Sequence, residues 1–521
     1  MSIDNLQILA KHCIGTAESE DSAGFLEDIF FDTGILTDVF DILPGSPRLL
    51  VGHKGTGKTV IFKQISKILE REGVDVLYLV PAEITGTSTP TAEENSALQA
   101  FYYESLVKQV AIKLGSKMSG LLGENQAILL RQAIVSGTKD PDVVEKAADF
   151  LSKVGKIFTE YDLTTMLEYD REIPVQKLFR SITNNLSTSK IFFLIIDEPD
   201  DVMVDGEGIS RLWALLNACK MFSQKLPNIR CLISLRTEIW NLLKENSAGR
   251  KNIDHFEPLI LSLDPPDKDI HEILCKRLLF VANVCKEDTT KPFAAFFEGD
   301  SATLPLPARD AQSYWWDYLE KQSRNRPRDI LQHIKYLAEN ARKNQRQKIN
   351  SQDVQDCAIF FSESRVNSIA DDYAVDFPDL RNVINRFSSL HGFEFATEQV
   401  LKFLRATLSE LPRNVRGKRL VAASETDVYS LLRMLHEIGF LNPCVPDDRE
   451  SRGYRHIMFS NDKNFVSQSN LNTMLKVSWE IHPIYRSYLY SLTDNEIHRQ
   501  AIISKRKREK ITDHAFKKKR R

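Results

Sequence analysis

Residues 48–59 read RLLVGHKGTGKT, and the rest of the chain is organised around them. A short apolar run, Leu49-Leu50-Val51, leads into Gly52, then four residues, then Gly57-Lys58-Thr59. This is the G-x-x-x-x-G-K-[ST] spacing of a phosphate-binding loop, with a strand before it and a helical pattern after it. The chemistry requires these residue types. Glycines at 52, 55 and 57 let the backbone take positive φ and come close to a phosphate chain. The N–H groups from Gly52 through His53, Lys54, Gly55, Thr56, Gly57 and Lys58 to Thr59 and Val60, at a helix N-terminus, bind anionic oxygens. Lys58 reaches the β- and γ-phosphates, and the Thr59 hydroxyl is a Mg2+ ligand. ATP with Mg2+ is the ligand pair this pattern implies.

A second stretch, KIFFLIIDEPD at 190–200, completes the chemistry. Six apolar residues read as a fully buried strand, and Asp197-Glu198 stand at its carboxyl end, where open α/β sheets bind ligands. Two acids there are expensive unless they face a metal or a reaction. Asp197 is the candidate Mg2+ holder and Glu198 the group that polarises the attacking water. A further buried strand, IRCLISL at 229–235, ends in Arg236. That arginine either senses a γ-phosphate or is a surface cation at a strand end.

The bulk numbers bound the class. At 521 residues the chain should hold about three domains. Hydrophobic residues make up 42% and charged residues 27%, as in an ordinary globular protein. The longest apolar run covers only 191–196, too short to span a bilayer, and no signal peptide is evident, so a cytoplasmic protein without membrane contact is expected. Seven scattered cysteines without a C-x-x-C pair suit a reducing compartment and argue against disulfides and structural zinc. Net charge is −2, but residues 505–521 carry ten Lys/Arg against two acids. A basic tail on an acidic body reads either as a polyanion contact or as a solvated end.

Along the chain, 1–45 reads as a helical lead-in closed by Pro44-Gly45-Ser46-Pro47, and 46–265 as an α/β core with a parallel sheet. Helical spacing at 59–72 and a β-rich run at 74–80 follow the loop. Residues 82–187 read as a helical insertion, with segments at 97–114, 127–135, 143–158 and 175–186. After Arg236 come a short helix, a loop with Arg250-Lys251 and a last strand at 256–263, giving five strands. A helical region at 266–350, a helical and winged-helix-like region at 351–500 and the basic tail at 501–521 complete the chain.

GHKGTGKT, FFLIIDE and the strand end ISLR together resemble the additional-strand, catalytic-glutamate division of P-loop ATPases, and within it the AAA+ and STAND-like groups. The resemblance covers roughly residues 30–345. It implies an acidic strand placed beside the loop strand, a helical lid opening at 263–278, and catalytic roles for Lys58, Glu198 and Arg236. Strand-terminal Arg236 leans towards STAND. Asn325-Arg326-Pro327-Arg328 resembles the sensor-2 segment of an AAA+ lid, which makes Arg328 a nucleotide contact; the alternative is a capped helix with exposed basic residues. Arg250 falls where AAA+ proteins carry an arginine finger. The 352–390 pattern resembles ATPases found near bacterial antiphage-defence genes.

Two helices and strands at 440–445, 454–460 and 474–481 resemble a winged helix. Its second helix is net acidic, and the nearby basic patch is Arg413, Arg416, Lys418 and Arg419. A protein-contacting module and a DNA reader both remain open. The functions in play are an AAA+/STAND-like switch or motor that self-associates and works with a partner effector protein and nucleic acid, through 505–521 and 413–419; an origin-recognition-like DNA-binding ATPase; and a P-loop kinase. Glu198 and the long C-terminal extension count against the kinase.

Overall fold

The structure is a computed structural model. It describes residues 4–13, 20–21, 24–84, 95–119, 122–138, 173–186, 190–202, 208–245, 250–263, 267–308, 311–324, 326–390, 392–447, 454–459 and 461–493. The helix expected at 143–158 and the basic tail at 505–521 lie outside these residues. Two compact units form, one from 17–266 and one from 1–16 with 267–521.

The first unit is an α/β P-loop core. Its strands are β1 (Arg48–Gly52), β2 (Asp75–Leu79), β3 (Phe192–Ile196), β4 (Ile229–Arg236) and β5 (Ile260–Ser262), all parallel, in the order β2-β3-β4-β1-β5. Alternation sorts the side chains. Leu49, Val51, Phe192, Leu194 and Ile196 face one buried layer, with the helices Asn95–Ser116 and Gly208–Lys225. Leu50, Phe193, Ile195 and Leu232 face the other, against Ile61, Phe62 and Ile65 of the helix Lys58–Arg71. Helices therefore cover both faces, as an all-parallel sheet requires.

The strand order corrects one expectation. The acidic strand β3 does not lie beside the loop strand β1, because β4 is inserted between them. The crossover sets this order: the chain leaves β3, runs through the helix Gly208–Lys225 and returns as the eight-residue β4 between β3 and β1. β2 and β5 are the half-buried edges. Sequence overstated β5 as well. Phe256 ends the helix Arg250–Phe256, Glu257–Leu259 make a 3-10 turn, and only three residues pair with β1. Arg250 thus opens a helix rather than lying in a loop.

In the second unit, the helix Asn5–His12 packs Leu6 and Leu9 against Ile270 and Leu274 of the helix Asp267–Cys285 and Ile334 of the helix Pro327–Lys343. Asp4 caps that first helix through Gln7 N at 3.0 Å and receives Arg342 Nε at 2.6 Å. β6 (Ser301–Thr303) and β7 (Gln312–Tyr314) form a small hairpin. The helix Ser351–Asp372 starts at a capping box in which Asn350 accepts from Gln352 and Asp353 N–H groups.

That helix packs Phe361, Val366 and Ile369 into the C-terminal core. The core lies between helices and an antiparallel sheet of β8 (Glu394–Ala396), β11 (Leu441–Pro446), β12 (Tyr454–His456) and β13 (Ser478–Ile481), ordered β12-β11-β13-β8. A separate hairpin, β9 (Arg413–Val415) with β10 (Lys418–Leu420), sits between the helices Thr397–Glu410 and Glu425–Glu437. Helices, a short strand and a hairpin in this order are winged-helix-like. Strands expected at 454–460 and 474–481 are shorter: β12 ends at His456, with Ile457 N still donating to the Pro443 carbonyl at 3.0 Å, and 471–474 is helical. Residues 448–453, between β11 and β12, lie outside the described residues. Among the described residues no helix is long and apolar enough to cross a membrane.

Candidate functional site

β1, β3 and β4 end together, and their carboxyl ends build the site. Gly52, where β1 ends, is in register with Arg236, where β4 ends. Ile196 pairs with Ile233, which brings Asp197 to the level of Ser234 one residue on. The loop from His53 to Gly57 then turns into the helix Lys58–Arg71. Gly57 supplies the turn with φ of +102°. Gly52 serves differently from expectation. Its φ is not positive, but an added Cβ would meet the Leu263 carbonyl oxygen at 2.8 Å, so the position needs a bare backbone.

Lys58 is folded against its own loop, its Nζ donating to the carbonyls of Gly52 at 2.6 Å and His53 at 3.0 Å. Thr56 Oγ1 also donates to the His53 carbonyl at 2.8 Å, tightening the turn. Burial pulls the Lys58 ammonium down to about 8, against the raising pull of Glu238, Asp200 and Asp197 and with a lowering push from Arg236. The same charges locate the site: a cation on the loop facing Asp197 and Asp200, just beyond β3, and Glu238 on the helix that follows β4.

Asp197 is 2% exposed and fully engaged. Its Oδ1 accepts from Ser234 Oγ at 2.6 Å and Glu198 N at 3.1 Å, and its Oδ2 from Tyr78 OH at 2.5 Å. Glu198 N also donates to Ser234 Oγ at 3.0 Å, which fixes the chain as it turns out of the sheet. Glu198 itself takes φ of 53°, a left-handed conformation that non-glycine residues adopt at a cost, and this turns it away from the strand direction. Partial burial pushes its carboxyl above the ordinary range, helped by Asp197 and Asp201 and opposed by Arg236.

Four residues that the sequence reading left unassigned complete the arrangement. Asp200, 8% exposed, pairs with Arg236 Nε at 2.8 Å, and burial raises its carboxyl despite that partner. Glu238 meets His53 Nδ1 at 2.7 Å and so ties the helix Thr237–Glu245 to the loop. Tyr78 and Ser234 orient Asp197. Asp200 and Ser234 lay within stretches already singled out, DEPD and ISLR, but nothing in their spacing marks them. Tyr78 and Glu238 are visible only through the sheet.

An oxygen-only donor set around a buried carboxylate suits Mg2+. Asp197 and Thr59 are the residues that would hold it, and the ion would neutralise phosphate charge and orient a leaving oxygen. The chain's own groups available there are the loop N–H groups and the Lys58 ammonium, the Glu198 carboxyl just beyond β3 and the Arg236 guanidinium at the end of β4.

Arg328 belongs to the second unit, half-buried in the first turn of the helix Pro327–Lys343. Its neighbours Arg324 and Arg326 are not exposed basic residues but are buried around Asp329. Arg324 Nε donates to Asp329 Oδ2 at 3.0 Å, and Arg365 reaches Asp329 Oδ1 at 2.9 Å. Burial alone would raise the Asp329 carboxyl; Arg324, Arg365 and Arg326 together hold it below the usual range. Arg324 also donates to Tyr485 OH at 3.0 Å, which joins this helix start to the helix Pro483–Ser491.

Three of the four cations of the basic patch at 413–419 are paired with carboxylates. Arg413 is 6% exposed and pairs with Asp379 at 3.1 Å. Arg416 reaches Glu437 at 2.6 Å, and Lys418 reaches Asp427 at 2.6 Å. Arg416 and Lys418 thus neutralise carboxylates of the acidic helix Glu425–Glu437, while the Lys418 side chain stays 59% exposed and Arg419 is exposed.

A family model described as the FunZ-associated C-terminal helical domain matches residues 300–370, the segment from β6 through most of the helix Ser351–Asp372. No curated protein matches the chain. Among solved structures, the ORC2 protein of Aeropyrum pernix (ADPNP-ADP complexes) is similar with 11% identity and a TM-score of 0.38, over 90% of this chain and 93% of that one. Drosophila ORC bound to DNA is similar with 12% identity and a TM-score of 0.29, over 94% and 91%. Likeness at this level carries no function across.

Proposed function

We propose that the chain is a Mg2+-dependent ATPase of the AAA+/STAND-like kind, hydrolysing ATP to ADP and phosphate to drive a switch or motor. The observation that supports it best is the convergence of Lys58, Asp197, Glu198 and Arg236 at three adjacent strand ends, with both Asp197 oxygens held by hydrogen bonds. A kinase needs no acid placed like Glu198. In this reading Glu198 activates the water, Lys58 and the loop N–H groups hold the β- and γ-phosphates, and Arg236 stabilises charge at the γ-phosphate.

The switch acts with other macromolecules, an effector protein and nucleic acid among them. For nucleic acid the support is the ten Lys/Arg of 505–521 together with the exposed Arg419, whereas Arg413, Arg416 and Lys418 are paired with carboxylates. Filter binding of duplex DNA across a salt series, with the full chain and with 505–521 removed, tests this part. A steep salt dependence that vanishes on truncation is expected. Absence of binding by the full chain at low salt removes nucleic acid from the account.

A further inference from the structure

Outside the nucleotide site, three side chains of different chemistry meet on one sheet face. Cys444 of β11 lies directly opposite His456 of β12 and, on its other side, opposite Ser478 of β13. Glu480 is two residues beyond Ser478 and therefore on the same face. The opposite face carries Leu441, Trp479 and Ile481 into the core, so this one is free to hold polar groups. His456 Nε2 lies 2.7 Å from Glu480 Oε2, and Cys444 Sγ lies 3.7 Å from the same oxygen. The three ligand-type atoms are all within 4.8 Å of one another, the one such group of three among the described residues.

We propose that Cys444, His456 and Glu480 form a binding site for one divalent metal ion of the zinc class, which staples β12, β11 and β13 together. A sulfur, an imidazole nitrogen and a carboxylate oxygen are the donor set of Zn2+ and its neighbours in the transition series, whereas Mg2+ and Ca2+ take oxygen alone. Bonds of about 2.0–2.3 Å to a tetrahedral ion place ligand atoms roughly 3.3–3.7 Å apart. The sulfur–oxygen pair already has this spacing, and the histidine–glutamate hydrogen bond opens by roughly half an ångström as the ion replaces it.

Glu480 is also oriented for the task. Arg486 donates to its Oε1, leaving Oε2 turned towards the histidine and the cysteine. Outer partners of this type fix ligand carboxylates in metal centres. β12 has reason to be stapled: it is a three-residue edge strand, paired only with β11 and following the 447–454 connection. Sequence spacing could not find the site, because ligands at 444, 456 and 480 come from three strands rather than from one short motif.

The test uses Co2+ as the probe, added to the untagged full chain after dialysis against a chelator. A thiolate ligand produces a sulfur-to-cobalt charge-transfer band in the near ultraviolet, which cobalt in an oxygen-only site such as the nucleotide centre does not. The expected result is such a band, saturating at about one equivalent, competed away by Zn2+ and lost in both Cys444→Ser and His456→Ala. Cys275→Ser, which alters the other cysteine near a histidine (Sγ to His271 Nε2 3.5 Å), leaves it unchanged. Wild-type protein without the band, or a band that survives Cys444→Ser, overturns the proposal. Wild-type spectra decide the first of these without any variant having to fold.

Discussion

Arg236 at the end of the central strand is paired with Asp200, Nε to Oδ2 at 2.8 Å, in a pocket where Asp200 is 8% exposed. The pair fixes the guanidinium beside the phosphate loop, since Gly52 and Arg236 are in register. An arginine held in advance at the site of developing charge acts mainly on the transition state. Arg236→Ala should therefore lower kcat by about 10²–10³ while KM for ATP moves only a few-fold. Steady-state kinetics on the variant checks this. A large rise in KM at constant kcat would make Arg236 a ground-state binder instead.

Lys58 makes nucleotide affinity depend on pH. Burial lowers its ammonium to about 8 in the free protein, and an incoming phosphate chain raises it again. Binding is then flat below about 8, where Lys58 is already charged. Above that value it requires proton uptake, so the Kd for ATP should rise roughly tenfold per pH unit until the bound-state pKa is reached. Calorimetric titrations at pH 7 and 9 in buffers of different ionisation heat report both the affinity and the proton. Lys58→Arg, charged throughout, should show neither effect.

Tyr78 and Ser234 hold the two oxygens of Asp197. Tyr78→Phe removes the 2.5 Å donor to Oδ2 without changing ring volume, so packing is kept. The apparent Mg2+ affinity in the ATPase assay should weaken about 10–100-fold, with saturating Mg2+ restoring most of the rate. Rates that stay low at every Mg2+ concentration would move Tyr78 from orienting the carboxylate to the reaction itself.

These residues mark the limit of what the chain could say linearly. The phosphate loop and the Asp-Glu strand were legible because each is contiguous, with its apolar run and its functional residues side by side. Tyr78, Ser234, Asp200 and Glu238 were not, since they come from four elements that only the sheet brings together. Strand order failed for a related reason. Adjacency in a parallel sheet is set by crossovers, and the apolar runs at 191–196 and 229–235 look equally central in sequence. The carboxylates that pair with Arg413, Arg416 and Lys418, at 379, 437 and 427, were not legible because other elements supply them.

Asp329 anchors a buried network in the second unit, contacted by Arg324 and Arg365. Removing one partner leaves guanidinium charge buried without compensation, which costs about 3–5 kcal/mol. Asp329→Asn should lower the urea stability of this unit by that amount, read from Trp315, Trp316 and Trp479 fluorescence in a background lacking Trp213 and Trp240. Unchanged stability would mean that the arginines reach water or other acids.

The same unit should be acid-labile. Burial lowers His333 to about 3, His436 to about 4 and His482 to about 3, each from an ordinary value near 6.5. The unfolded chain binds these protons first, so the folded state loses stability as pH falls through 6.5 towards 3–4. Well below 6.5 each histidine contributes about 1.4 kcal/mol per pH unit. Urea midpoints between pH 7 and 5 measure the slope, and His333→Gln should reduce it whatever that variant does to the midpoint at pH 7.

In the proposed reading Glu198 activates water on a nucleotide held by the Lys58 loop. Single-turnover hydrolysis of ATP by Glu198→Gln, with equilibrium binding measured on the same protein, tests it most directly. ATP affinity should stay within a few-fold of wild type while the hydrolysis rate falls at least about 10²-fold. Hydrolysis at the wild-type rate in Glu198→Gln would contradict it.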